Sequence, residues 1–243
     1  MQDSNSLNPA QPAEAPKREN LLVNLGFNIV APALILSKLS GDDLLGPTLG
    51  LIIALAFPLG YGLMDFRARG KVNIFSILGL VSTLLTGTIS LLKLDPQYIA
   101  IKEAAIPGLI FLIILISNFT PYPLVEKLLM SDAIFDLDKL KANLQSDASQ
   151  QSMNSAVRNG SYMVAVSFAF SSALNYGLAK MIVVSSPGTE AYNAELGKLT
   201  VLSYPVIALP CTLIMVGALF YLIYRIQKIT GQDIEEFLLV GKD

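Results

Sequence analysis

Six apolar stretches, each near the ~20 residues that a helix needs to cross a bilayer, decide what this chain can fold into. In hydrocarbon every backbone N–H and C=O must be satisfied inside the protein, so stretches of this kind become helices. The expected spans are 21–36, 45–64, 72–92, 98–118, 162–184 and 199–224. Only 15% of the 243 residues are charged, well below the ~25% of soluble domains. The expected fold class is therefore an all-α integral membrane protein with six transmembrane helices.

The remaining segments read as polar flanks. Residues 1–20 carry three prolines and lack the basic-then-apolar order of a cleaved leader, so a disordered tail is expected. A cytoplasmic segment, 119–160, separates the fourth and fifth spans. Within it Leu124, Leu128, Ile134, Leu137, Leu140 and Leu144 recur at roughly helical spacing, the pattern of a short surface helix. Gln145–Ala156 is rich in Ser, Gln and Asn and is expected to be a flexible link. Gly231 is placed to end the last span, leaving a 229–243 tail in which Asp233 can cap a short helix over Asp233–Val240.

Orientation follows from the basic residues. With the N-terminus inside, all five Arg and Lys17, Lys71, Lys127, Lys139, Lys141, Lys228 and Lys242 fall on the inner side. Cytoplasmic loops carry this excess, so both termini are expected to be cytoplasmic. The glycosylation-like triplets at Asn118 and Asn159 then lie inside, where they read as chance.

Several patterns concern packing between spans. Gly46 and Gly50 form a GxxxG pair, and Ser76, Gly79, Thr83, Thr86 and Ser90 make a small-residue stripe that marks 72–92 as the central packing helix. Lys38, Lys93 and Lys180 end the odd spans, while Pro47, Pro107 and Pro205 sit early in the even ones. That arrangement reads either as three tandem hairpins or as the ordinary placing of snorkelling lysines and early prolines.

Chemistry is sparse. There is no His, and Cys211 is the one Cys, which removes His-dependent triads, Cys/His zinc sites and intramolecular disulfides. No phosphate-binding glycine loop or catalytic carboxylate pair stands in the spans, so no enzyme and no cofactor is expected, and the small net charge does not suggest nucleic acid. What remains is a set of polar residues inside apolar spans: Asn24, Asn28, Lys102, Glu103, Asn175 and Lys180. Charges there cost at least ~2.5–3.5 kcal/mol on insertion scales, so they are paired, wet or functional. Lys102 and Glu103 lie ~6–8 Å inside their span and point ~100° apart. Lys180 or Lys198 is the expected partner of Glu103, and Asp95, Glu190 or Glu195 that of Lys102. The cluster reads either as structural pairing or as a path for a solute.

Several segments together resemble a family of uncharacterised bacterial inner-membrane proteins related by pattern to intracellular septation protein A. They are Asn28–Lys38 (NIVAPALILSK), Ala56–Leu63 (AFPLGYGL), Ala100–Pro107 (AIKEAAIP), Asn175–Val183 (NYGLAKMIV) and Gly188–Pro210. Relative to septation protein A itself, the chain has a longer 185–198 loop and extra N-terminal residues. The resemblance implies a multi-pass protein of the bacterial inner membrane, with the bilayer and other membrane proteins or further copies of itself as partners. It implies a non-enzymatic part in envelope or cell-division processes. Some members are labelled as transporters, which sets a small-solute or ion transporter beside that expectation.

Overall fold

A computed structural model describes residues 26–69, 74–120, 123–125, 135–144 and 146–239. Among the described residues seven helices longer than one turn follow one another: α1 (Gly26–Leu39), α2 (Gly46–Arg69), α3 (Ile74–Leu91), α4 (Gln97–Ser117), α5 (Leu137–Asn143), α6 (Asp147–Ile182) and α7 (Glu190–Thr230). Among the described residues the one β feature is an isolated bridge between Phe135 and Leu238. The chain is all-helical.

Four of these helices are long and apolar enough to cross a membrane: α2 over Gly46–Met64, α4, α6 and α7. That count differs from the expected six. Gly26–Leu39 and Ile77–Leu91 are apolar but shorter. At ~1.5 Å per residue they cover roughly 21–23 Å, short of the ~30 Å hydrocarbon core. Leu21–Leu25, including the candidate Asn24, lies outside the described residues, as do the 1–20 tail and the basic loop at 70–73.

Local chemistry explains where the helix boundaries depart from the sequence reading. From Asp147 on, the expected link is helical. Ser146 caps it by accepting from Ser149 N, and the Ser149 hydroxyl answers in a capping box. Met153, Ala156 and Val157 then bury one face, so α6 runs unbroken for 36 residues instead of starting near 162. Likewise the expected 185–198 loop is helical from Glu190, because the Thr189 hydroxyl accepts from Tyr192 N. In α7, a π-helical turn at Tyr204–Ala208, with Pro205 inside it and Pro210 just after it, breaks the helix without ending it. Gly231 does end it, in the left-handed conformation (φ 70°) with its N–H on Gln227 O. Beyond it the expected Asp233–Val240 helix is a single turn, Ile234–Glu236, and Asp233 makes no side-chain cap.

The central helix is α6, not the small-residue helix α3. It lies antiparallel to α4, with Ser161 facing Asn118 at one end and Ser172 facing Ala104 and Gly108 toward the other. A Cβ on Gly108 would lie 3.0 Å from Ser172 Oγ, so glycine lets the two helices approach closely here. On its other side α6 is antiparallel to α7, through Ser167 Oγ to Cys211 O (3.0 Å) and Asn159 to Tyr221. Helix α3 sits to one side, against α2 and α4.

Two buried clusters close the ends of the bundle. One joins Ile35, Leu51, Ile89, Ile99, Ala179, Tyr192 and Leu199 from six different helices. The other joins Phe135, Leu140 and Leu144 to Met153 and Val157 of α6, Leu222 and Ile226 of α7, and Phe237 of the tail. Between them the outward surface is apolar: Leu109, Leu112, Ile116, Val166, Phe170, Leu213 and Phe220 are all exposed. So much apolar side chain would be a liability in water and is what a lipid-facing surface requires.

Candidate functional site

Lys102 sits on the second turn of α4 and is buried, with only 8% of its surface exposed. Its ammonium donates to Thr86 Oγ1 (2.9 Å) and Ser82 Oγ (3.2 Å) on α3, and pairs with Glu103 Oε1 at 2.7 Å. An ammonium has three N–H donors, and all three are used. The pairing corrects the expected one. The two Cβ atoms do diverge, but these side chains are long enough to fold back on each other at the α3–α4 interface. Lys180 and Lys198 are exposed instead. Asp95 accepts from Gln97 N, and Glu195 accepts from Val184 N, Ser185 N and Ser185 Oγ. The polar chain continues beyond Lys102: Ser90 Oγ donates to Thr86 O, and lies 2.9 Å from the hydroxyl of Tyr192, which is fully buried.

Glu103 faces the other way. It lines a cavity of about 450 Å³ together with Ser171 and Asn175 of α6 and Thr200, Ser203 and Tyr204 of α7. The lower wall is Leu199, Ile207 and Ala208, so the π-helical break in α7 forms part of the lining. Breaks of this type are frequent at functional sites, and irregular backbone at membrane depth is tolerated where it lines a cavity.

Most lining donors are already spent within their own helices. Asn175 Nδ2 donates to Ser171 O (2.8 Å), Thr200 Oγ1 to Leu196 O and Ser203 Oγ to Leu199 O. Acceptor oxygens remain, in Asn175 Oδ1, the hydroxyl lone pairs and the Glu103 oxygen that Lys102 does not take, beside the hydroxyl donors of Ser171 and Tyr204. Among the described residues of the lining, Glu103 is the one carboxylate.

Of the six candidates, then, Glu103 and Asn175 converge on one cavity. Lys102 stands behind Glu103 as its buried counter-ion. Asn28 is half-buried on α1 and does not line the cavity, and Lys180 is exposed at the end of α6. Asn24 is outside the described residues. The sequence reading missed Thr200, Ser203 and Tyr204. Their signal was the i, i+3 pair of small hydroxyls directly before Pro205, at the point where the helix breaks.

Sequence reasoning also missed Asn193, which is 1% exposed. Its Nδ2 donates to Pro47 O (2.7 Å) and Ser40 Oγ (3.1 Å), tying α7 to the turn between α1 and α2. At the same place Gly50 lies so close to Ser40 that an added Cβ would come within 3.1 Å of its Cα, and one on Gly197 would come within 3.0 Å of Ala33 O. Half of the expected GxxxG pair is thus a close-approach position. Gly46 instead supplies a left-handed turn (φ 72°).

Comparison with family models, curated proteins and solved structures returned no match.

Proposed function

We propose that this is a multi-pass membrane protein that binds and passes a small polar solute through the cavity between α4, α6 and α7. The observation that carries the reading is the convergence of Glu103 and Asn175, two polar residues of apolar spans, on one oxygen-lined cavity beside a broken helix. Acceptor oxygens around a single carboxylate suit a monovalent cation or an amine. The functional reading of intramembrane charge also agrees with the division of labour in the pair: Lys102 is satisfied by protein, while Glu103 keeps an oxygen for a ligand.

The test is uptake of rubidium-86, sodium-22 and radiolabelled methylammonium into proteoliposomes holding the full chain. Uptake of at least one above empty liposomes is expected, lowered about tenfold or more by Glu103→Gln, the loss of one charge-assisted contact. Wild-type protein that moves none of the three ends this reading.

The finer topology belongs to the same proposal: six spans in the bacterial inner membrane, with both termini cytoplasmic. Four membrane-length helices and two shorter apolar ones, in the expected order, are compatible with it, and the basic bias of the inner segments supports it. In a Cys211→Ala background, Ser186→Cys should react with an impermeant maleimide from outside the cell, and Ser146→Cys only after the membrane is opened. The reverse labelling would invert the topology.

A part in envelope or division processes stands as a second reading. It rests on the resemblance to septation protein A, and one feature favours it. The cluster around Phe135 and Phe237 gives the chain a folded surface beyond the spans, on which another protein could dock. A deletion strain complemented by Glu103→Gln but not by Phe237→Ala would favour this second reading over transport.

A further inference from the structure

A second cavity, of about 400 Å³, opens where the end of α4 meets the polar first half of α6. It is lined by Gln151, Asn154, Ser155, Arg158 and Ser161 of α6 and by Asn118, which follows the last turn of α4. The α6 residues recur every three or four positions, so they form one face of the helix. That face has the Ser/Gln/Asn composition that made the segment read as a link. Here it is the wall of a cavity.

The lining has one sign and an excess of donors. Among the described residues Arg158 is the only charged one in the lining, and it makes no ion pair with them. Gln151, Asn154 and Ser155 spend none of their side-chain hydrogen bonds on described residues. Asn118 is held by the Ser161 hydroxyl, which donates to its Oδ1 at 2.7 Å. Its Nδ2 is buried and has no hydrogen-bond partner among the described residues. A buried amide donor without an acceptor costs ~1–3 kcal/mol, so a partner with acceptor oxygens is called for at this point. An arginine fork, two amides, a hydroxyl and an orphan N–H around one cavity match an oxyanion with several oxygens.

We propose that this cavity binds a phosphate-class anion. Its place gives two sources for that chemistry. Asn118 stands at the end of a helix long enough to cross the bilayer, where a spanning helix meets the headgroup layer, and the cavity is not enclosed. An anionic headgroup and free phosphate both fit. The site is separate from the Glu103 cavity and does not depend on the transport reading.

The experiment uses the full chain purified in detergent. Native mass spectrometry after incubation with equal amounts of dioleoyl-phosphatidylglycerol and dioleoyl-phosphatidylcholine reads lipid binding, and calorimetric titration with inorganic phosphate reads the free anion. The wild type is expected to retain phosphatidylglycerol over phosphatidylcholine, or to bind phosphate, or both. Arg158→Gln and Gln151→Glu should each weaken this about 10- to 100-fold, the value of one charge-assisted hydrogen bond, and Arg158→Lys should restore part of it. Both positions are exposed, and elution as a single species of unchanged size verifies the fold of each variant. Retention of phosphatidylglycerol that millimolar phosphate does not displace assigns the headgroup; displacement together with a calorimetric signal assigns the free anion. A wild type that binds neither probe, or folded variants that bind as well as the wild type, overturns the proposal.

Discussion

Asn193 shows how much a single side chain carries at the closed end of the bundle. Its two hydrogen bonds go to Pro47 O and to the buried Ser40 Oγ. Asn193→Ala removes both hydrogen bonds and the packing of a buried side chain, and should lower stability by about 1–3 kcal/mol, read as a drop in Tm in detergent. Lys102 is a harsher case. Glu103→Gln strips a buried ammonium of its counter-ion but leaves two hydroxyl acceptors. Lys102→Met removes the ammonium and leaves the carboxylate beside an apolar chain. Breaking a buried pair costs ~3–5 kcal/mol, and Glu103 is partly exposed, so a loss of about 1–3 kcal/mol is expected for either change. Membrane-inserted protein levels for both variants, beside the uptake assay, separate this stability effect from the loss of a ligand contact. These roles were only half legible. An intramembrane Lys-Glu pair announces that charge must be compensated, but the compensating Ser82 and Thr86 are ordinary hydroxyls twenty and sixteen residues away.

At the scale of elements, boundaries turned on short-range hydrogen bonds that composition alone does not rank. Ser146 and Ser149 turn a polar stretch into the first turns of a long helix, because a reciprocal cap satisfies the amides that otherwise have no acceptor. The end of α3 offers a direct check. Lys93 holds a left-handed conformation (φ 53°) while Leu94 N bonds back to Ile89 O, a position that usually takes glycine. Lys93→Gly should raise the Tm, by relief of about 1 kcal/mol of backbone strain less the chain entropy of glycine. At Gly197 the sign reverses. Its backbone is helical, and a Cβ there meets Ala33 O at 3.0 Å and Leu36 Cβ at 3.4 Å. Gly197→Val should force α1 and α7 apart at a cost of about 1–3 kcal/mol, seen as a lower Tm and broadened elution. Nothing in the one-dimensional pattern singled out Gly197 over the other glycines, since close approach belongs to the partner helix as much as to the glycine.

The whole molecule combines two physical regimes. In the spans, lipid is as apolar as leucine, so association depends on close packing and hydrogen bonds such as Ser172 to Ala104 O and Ser167 to Cys211 O. Beyond them the hydrophobic effect operates, and the cluster of Phe135, Leu140, Leu222, Ile226 and Phe237 is held by burial. The tail joins it through Asp136 N to Phe237 O (2.8 Å), the Phe135–Leu238 bridge and the Lys139–Glu236 contact. Phe237 is fully buried, so Phe237→Ala should cost this module about 3–5 kcal/mol. Limited proteolysis should then cut first between residues 135 and 146, while α2, α4 and the membrane part of α6 remain resistant. Equal resistance of wild type and variant would mean that the module does not depend on its tail.

By itself the sequence determined the class of protein, because apolar stretches of bilayer length leave the backbone no alternative to helix, and it determined that polar residues within them need partners. The tertiary structure decided which partners. Adjacent Lys102 and Glu103 went to opposite tasks because α3 offered hydroxyls on one side and the gap between α6 and α7 lay on the other. A polar stretch became a cavity wall because the end of α4 stood opposite it. Helix formation in lipid is dictated locally by unsatisfied backbone, whereas the value of a polar side chain is set by whatever another helix brings within 3 Å of it.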